Sequence, residues 1–158
     1  MPTVCTFCGY SRLYDGEVGE RTEKIIEDLI VNKGVDTFYV GNYGAFDRLC
    51  AGKIKRMRKK YAVKVFLVPA YYKTTVDDTT KAYYNSFDGV ILADTMHVPY
   101  RAKIIECNRF MVDSAEYVVA YVTNDFSNAV KTLEYAEQKK KKIIMVQAGS
   151  MTAKGEIQ

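Results

Sequence analysis

Short apolar runs that alternate with segments of helical periodicity constrain the fold of this chain more than any other feature. The runs cover residues 4–7, 37–40, 63–68, 90–92, 117–122 and 143–146. Several are continuously apolar, which is typical of strands buried on both faces of a parallel sheet. Between them, apolar residues recur at helical spacing, as Ile25, Ile26, Leu29 and Ile30 do. The alternation predicts an α/β fold with a mostly parallel, doubly wound sheet and helices on both faces.

The size of the chain indicates one domain. Its 158 residues, 48% hydrophobic and 27% charged, suit a globular protein with a buried core. We predict a single domain over residues 1–147 and a tail over residues 148–158. No apolar run approaches the roughly 20 residues of a membrane span. The first eight residues have no basic flank before an apolar stretch. We therefore expect a cytoplasmic protein without a membrane partner.

Charge and cysteine content favour neither a metal site nor a nucleic-acid partner. The net charge of +4 is mild, and the basic runs at 53–60 and 139–142 fall where helices should end. We interpret them as solvated helix ends rather than as a phosphate footprint. Cys5 and Cys8 have no second cysteine pair to complete a zinc site, and His97 is the only histidine. We expect four buried cysteines, no metal and no cofactor.

One segment departs from the alternation of strands and helices. Residues 70–88 contain the pairs Tyr71–Tyr72 and Tyr83–Tyr84 and are too long for an ordinary connection. We predict a long loop or a lid that closes over a ligand. Its tyrosines either stack on a base or pack the loop onto the body of the domain.

The loops that follow the predicted strands are the candidate ligand site. In open α/β sheets, ligands bind beyond the carboxyl ends of the strands, where helix N-termini aim N–H groups at anions. Glycines and small polar side chains in these loops allow close approach of a phosphate. The candidate ligand-binding residues here are Gly9, Tyr10, Ser11, Arg12, Gly41, Asn42, Tyr43, Gly44, Phe46, Asp47, Thr123, Asn124, Ser127 and Asn128.

A predicted helix over residues 101–114 adds three candidates. Arg101 and Asn108 fall near the middle of its apolar stripe, and Arg109 lies at the edge of the stripe. Polar groups on a buried face need a partner, which is either an internal contact or a bound ligand. Phe110 points away from the stripe, and an exposed aromatic ring there is consistent with a homodimer or higher homo-oligomer.

Five segments of the chain, which contain most of these candidate residues, resemble the SLOG superfamily in its YpsA-like branch. The similar segments are 7–12, 39–47, 98–101, 108–112 and 114–123. The resemblance implies a Rossmann-like fold. It also implies kinship with three kinds of protein: Lonely Guy enzymes, which release a base from nucleotide ribosides, single-stranded-DNA-binding DprA proteins, and nucleotide-signal sensors of bacterial and phage conflict systems.

The chain departs from that pattern at positions that matter for catalysis. Tyr10-Ser11 precede Arg12 where a histidine is typical, and Phe126-Ser127-Asn128 replace a glycine-rich turn. The Lonely Guy signature Pro-Gly-Gly-x-Gly-Thr-x-x-Glu is missing, although Glu134 lies on the corresponding helix. Asp47, Glu106 and Glu134 are the only carboxylates we nominate for catalysis, and their spacing makes no convincing pair.

We therefore expect a protein that binds a nucleotide or a nucleotide-derived small molecule, as a sensor or sequestering protein of a mobile-element or defence system. Arg12, Arg101 and Arg109 would meet phosphate or ribose oxygens, and Phe46 or a loop tyrosine would stack on the base. One alternative is hydrolysis of a nucleotide's N-glycosidic bond. The other is DprA-like binding of single-stranded nucleic acid through the basic runs and exposed tyrosines. We do not expect nucleic acid as the partner.

Overall fold

Strands and helices alternate along the computed structural model, which describes residues 1–10, 13, 16–122 and 127–146. The strands are β1 (Val4–Gly9), β2 (Thr37–Val40), β3 (Lys64–Leu67), β4 (Gly89–Val90), β5 (Tyr117–Tyr121) and β6 (Lys142–Met145). The helices are α1 (Val18–Lys33), α2 (Gly44–Met57), α3 (Asp78–Asn85), α4 (Lys103–Ser114) and α5 (Asn128–Gln138). One turn of 3-10 helix, Tyr100–Ala102, precedes α4.

Within the described residues, six strands form one sheet in the order β4-β3-β2-β1-β5-β6, and every pairing is parallel. The chain winds outward from β1 to β4 and then returns to place β5 on the other side of β1. Right-handed crossovers put α1, α2 and α3 on one face and α4 and α5 on the other, and α1 packs on α2 as α4 packs on α5. The predicted α/β, Rossmann-like fold is confirmed, with a sheet that is parallel throughout.

The core fills the space between the sheet and its helices on both faces. Phe38 and Leu67 from the strands and Ile26 and Ile54 from the helices are fully buried. Each such side chain contributes about 1.5–3 kcal/mol through burial. The cysteines are buried free thiols, as predicted. No helix in the described part of the chain combines the length and the apolar character needed to cross a membrane.

Residues 70–88 are not the structureless connection that we predicted, because their middle part forms α3. The Asp77 side chain accepts a hydrogen bond from the Thr80 N–H at 2.8 Å and so caps the helix. Tyr83 packs edge-on against Phe87, with ring centroids 5.2 Å apart, and fixes the helix to the domain. That this segment closes over a ligand stays a prediction.

The first basic run lies at the end of α2, as predicted, and acidic side chains neutralise much of it. The Lys53 ammonium is 2.8 Å from Glu23, and Arg58 is 3.0 Å from Asp88. Such pairs near the surface contribute about 0.2–1 kcal/mol each. Since α2 ends at the amino edge of the sheet, this run lies opposite the carboxyl ends of the strands.

Candidate functional site

The carboxyl edge of the sheet divides into two halves with different packing. We call the region where β1 and β5 end the crevice half; its described aromatic residues are Tyr10, Phe46 and Tyr121. We call the region beyond β2, β3 and β4 the tyrosine half, after Tyr43, Tyr71, Tyr72 and Tyr100. The strand order reverses between β1 and β5, so the crevice half is where a Rossmann-like fold ordinarily holds its ligand.

In the crevice half, the protein's own aromatic rings fill the space beside the strand ends. Tyr10, Phe46 and Tyr121 are only 6%, 0% and 2% exposed. The Tyr121 ring centroid lies 5.6 Å from that of Tyr10 and 5.5 Å from that of Phe46. A Cβ on Gly9 would come within 2.2 Å of the Phe46 ring, so only glycine fits there. The structure therefore places Phe46 in the core, where it packs on protein rings rather than stacking on a ligand base.

In the tyrosine half, three strand-end loops bring rings together at the surface. Tyr100 is 70% exposed, and its ring stacks on that of Tyr71 with centroids 4.4 Å apart and planes at 20°. The Tyr71 hydroxyl donates a hydrogen bond of 2.9 Å to the Tyr100 carbonyl. Tyr43 meets Tyr71 edge-on at 5.8 Å. One face of the Tyr100 ring is thus backed by protein, while most of its surface lies in solvent.

A small apolar cluster between the sheet and α4 supports these rings from below. It comprises Val68, Ala70, Cys107 and Met111, and Tyr71 packs against it. The Cys107 thiol donates to the Val68 carbonyl at 3.2 Å, and burial raises the pKa of this thiol to about 12. Burial likewise raises the pKa of the Tyr43 phenol to about 12.

The start of α2 carries a carboxylate where an anionic ligand would otherwise be favoured. The Asp47 Oδ2 accepts a hydrogen bond from the Tyr43 N–H at 3.0 Å. Gly41 lies against it, since a Cβ there would be 3.0 Å from the same oxygen. Burial raises the pKa of Asp47 to about 7, and the Tyr43 bond offsets only part of that effect. No ion pair to Asp47 occurs among the described residues.

The other residues of this loop, Asn42 and Gly44, lie beside Tyr43. Asn42 is half-buried, and Gly44 opens α2 with a φ of 83°, a conformation that favours glycine. At the start of α5, the Ser127 side chain accepts a hydrogen bond from the Val130 N–H at 3.3 Å. The Asn128 carbonyl accepts one from the Thr132 hydroxyl at 2.8 Å. The predicted Ser11, Arg12, Thr123 and Asn124 lie outside the described residues.

Arg101, Asn108 and Arg109 do not form the single set that helical periodicity predicted. The chain passes through a 3-10 turn before α4 begins at Lys103, which removes Arg101 from the α4 register and leaves it exposed at the tyrosine half. Asn108 donates to the Thr132 hydroxyl at 3.1 Å and so joins α4 to α5. Arg109 is exposed, 3.2 Å from Glu106 and 5.3 Å above the Tyr135 ring.

Phe110 is not the exposed ring that we predicted. It is half-buried and packs on the small cluster around Cys107 and Met111. Phe110 is covered because α4 also packs against this second apolar cluster, which is separate from the main core. A helical pattern with a single apolar stripe does not predict a contact on another face of the helix. The oligomeric state stays a prediction.

The three catalytic candidates lie on three different helices. Asp47 is on α2, whereas Glu106 and Glu134 are on helices of the opposite face. Glu134 lines a shallow cavity of about 290 Å³ between α4 and α5, together with Arg109, Lys131 and Tyr135. Among the described residues, no three His, Cys, Asp or Glu side chains come together to hold a metal ion.

Comparison with known proteins relates this chain to others by fold. No protein-family model and no curated protein sequence matches it. DNA processing protein A of Helicobacter pylori, described for its single-stranded-DNA-binding mode, is similar at a TM-score of 0.67 and 12% identity over 91% of this chain and 65% of that protein. DNA processing protein A (DprA) of Streptococcus pneumoniae is similar at 0.67 and 14% identity over 92% of this chain and 50% of its own. The chain thus spans less than two thirds of either protein.

A third similar structure is the Moco carrier protein of Chlamydomonas rheinhardtii. Its TM-score is 0.53 at 11% identity, over 92% of this chain and 76% of that one. At such identities the likeness is one of Rossmann-like fold. Our expectation that nucleic acid is not a partner is nevertheless wrong on this comparison, because a protein with the same fold is described as binding single-stranded DNA.

Proposed function

We propose that this protein binds single-stranded nucleic acid at the tyrosine half of its carboxyl edge, and that it belongs to the SLOG superfamily. The observation that carries the proposal is the Tyr100 ring, which is 70% exposed and backed by Tyr71 at 4.4 Å. Stacking of a base on such a ring contributes about 1–3 kcal/mol and tolerates any base, since every base has a π-face. The similar fold of a DNA processing protein A described as binding single-stranded DNA supports the same function.

The tyrosine half is held in place before a ligand arrives. The hydrogen bond from the Tyr71 hydroxyl to the Tyr100 carbonyl ties two loops together, and Tyr71 packs on the apolar cluster beneath it. A ring that is already ordered loses little side-chain entropy when a base stacks on it. Arg101, exposed and next in sequence to Tyr100, is suited to contact a backbone phosphate.

A second candidate is the binding of a nucleotide or nucleotide-derived small molecule, with a sensing or sequestering role. The same exposed Tyr100 ring favours it, because one base suffices for stacking. The two candidates differ in how affinity depends on salt and on ligand length. A strand that neutralises several phosphates loses affinity steeply as salt rises, whereas a mononucleotide loses much less.

The test is fluorescence anisotropy with a labelled oligothymidylate at low salt, with thymidine monophosphate as an unlabelled competitor. We expect the oligonucleotide to bind, with an affinity that falls with salt. Tyr100→Ala should weaken binding about 10-fold, equivalent to about 1.4 kcal/mol. Tyr100→Phe is the matched control and should bind as the wild type does, because it keeps the stacking face. No oligonucleotide binding, or equal binding by Tyr100→Ala, would contradict the proposal.

A further inference from the structure

A second pair of stacked tyrosines joins the segment after β3 to helix α3. Tyr72 is 42% exposed, and its ring stacks on that of Tyr84 with centroids 5.5 Å apart and planes at 25°. Tyr71 and Tyr72 are neighbours in the chain, yet each belongs to a different stack. The short segment after β3 therefore takes part in both stacks: Tyr71 backs the exposed Tyr100 ring, and Tyr72 is itself an exposed ring backed by Tyr84.

The Tyr72–Tyr84 stack rests on a fixed support. Tyr84 lies on α3, and the preceding Tyr83 anchors that helix against Phe87. The Lys55 ammonium lies 4.4 Å from the Tyr83 ring centroid and 3.8 Å from that of Phe87, which adds a cation–π contact to the anchor. Because the ring beneath it is held in this way, Tyr72 offers a base a preformed surface.

Cations flank this second stack as Arg101 flanks the first. Lys73 follows Tyr72 in the chain and is exposed. Lys81 is also exposed and precedes Tyr84 by three residues on α3, so the two share a face of the helix. Neither lysine takes part in an ion pair among the described residues. The nearby acids are Asp77, whose carboxylate caps α3, and the exposed Asp78.

We propose that the Tyr72–Tyr84 pair is a second base-binding subsite, and that the ligand is a single strand with one base on Tyr100 and another on Tyr72. This inference rests on the proposed function and specifies its ligand as an oligonucleotide rather than a mononucleotide. Lys73 and Lys81 contact the phosphates of the strand beside the second base. Binding to two linked subsites makes affinity rise with strand length until both are filled.

The experiment is a length series of oligothymidylates, from the mononucleotide upward, titrated against the wild type, Tyr72→Ala, Tyr72→Phe and Tyr100→Ala. For the wild type and Tyr72→Phe we expect a marked gain in affinity between the mononucleotide and short strands. Tyr72→Ala should lose most of that gain and bind the longer strands about 5–10-fold more weakly, the effect of losing one stacked base. Its melting temperature should stay within a few degrees of the wild type, since Tyr72 is 42% exposed and is no part of the buried core.

A second variant tests the subsite without touching an aromatic ring. Lys81→Gln should reduce the slope of log affinity against log salt by about 0.7, the change expected for one phosphate contact on a single strand. If Tyr72→Ala and Lys81→Gln bind every length as the wild type does while Tyr100→Ala is weakened, the second subsite is wrong and the proposed function stands. If no strand binds at all, the proposed function itself is wrong.

Discussion

Aromatic residues at the crevice half and at the tyrosine half of the carboxyl edge share a position in the fold and differ in burial. Phe46 and Tyr121 beside β1 and β5 are almost wholly buried, whereas Tyr72 and Tyr100 beyond β3 and β4 present much of their rings to solvent. Rings of the first kind contribute free energy to folding, and rings of the second kind are available to a ligand. In the described structure, the place where this fold ordinarily holds its ligand is packed with side chains, and the accessible aromatic surface lies farther out.

The sharpest test of this difference is the removal of one ring from the crevice half. Phe46→Ala should lower the free energy of unfolding by about 3–5 kcal/mol, because the ring is fully buried and its loss leaves a cavity. In a chain of this size that corresponds to a melting temperature roughly 10 °C lower. Tyr100→Ala is the comparison variant and should unfold near the wild-type temperature. A melting temperature for Phe46→Ala close to the wild type would mean that the crevice half is open.

Gly9 offers a second test of the same packing. A Cβ at this position would lie 2.2 Å from the Phe46 ring, which is enclosed and cannot move aside freely. Gly9→Ala should therefore cost about 1–3 kcal/mol of stability, measured by urea unfolding. Gly52→Ala is the matched control: apart from its chain neighbours and the nearby backbone of its own helix, no atom of the described residues lies within 4 Å of the added Cβ. In mid-helix this control should gain about 0.5–1 kcal/mol. Equal stability of the two variants would show that the Phe46 ring moves aside to accommodate the added Cβ.

The arrangement of strands and most helices could be predicted from the sequence, because burial on both faces of a parallel sheet leaves continuous apolar runs. Helix α3 could not be found in that way, since none of its eight residues is buried and no apolar stripe marks it. Its one signal was local: Asp77 precedes Thr80 at the spacing of a helix N-cap. The rule for helix starts would have located it.

For the candidate site, the sequence predicted the edge of the sheet but not the residues that lie open on it. Parallel strands bring their carboxyl ends together whatever the loops contain. Whether a ring in such a loop is buried depends on distant neighbours, as Phe46 depends on Gly9 and Tyr121. The prediction that Arg101 lies on the apolar stripe of α4 was wrong for a related reason, because a 3-10 turn separates Arg101 from α4.

The Asp47 carboxyl, at the boundary between the two halves, gives the stability of the protein a pH dependence. Its pKa is about 7 in the folded protein against an ordinary value of 3.8, so the folded state holds the proton between these values and stability falls as pH rises through that range. Asp47→Asn keeps an acceptor for the Tyr43 N–H but does not ionise. We expect it to unfold well above the wild type at pH 8, since a rise in pKa from 3.8 to about 7 corresponds to about 4 kcal/mol, or roughly 10 °C.

The control for this variant is the pH profile itself. The advantage of Asp47→Asn over the wild type should disappear near pH 4, where both side chains are uncharged. If the difference in melting temperature between Asp47→Asn and the wild type were constant from pH 4 to 8, the Asp47 carboxyl would have an ordinary pKa. Burial would then have no effect on its ionisation.

The smallest expected effect distinguishes the tyrosine half from the cavity between α4 and α5. Arg109 lies almost two turns into α4, away from the carboxyl edge, and is exposed beside Glu106 and Tyr135. Arg109→Ala should cost only about 0.5 kcal/mol of stability, as exposed ion pairs and cation–π contacts do. It should leave oligonucleotide affinity unchanged.

Arg101→Ala is the matched comparison, because Arg101 is an exposed arginine at the tyrosine half. It should weaken oligonucleotide binding and reduce the salt slope by about 0.7. If anisotropy titrations gave the reverse result, with Arg109→Ala weakening binding and Arg101→Ala leaving it intact, the ligand would lie between α4 and α5. Arg109 and Lys131 line that cavity, and the exposed tyrosines would then be surface residues without a part in binding.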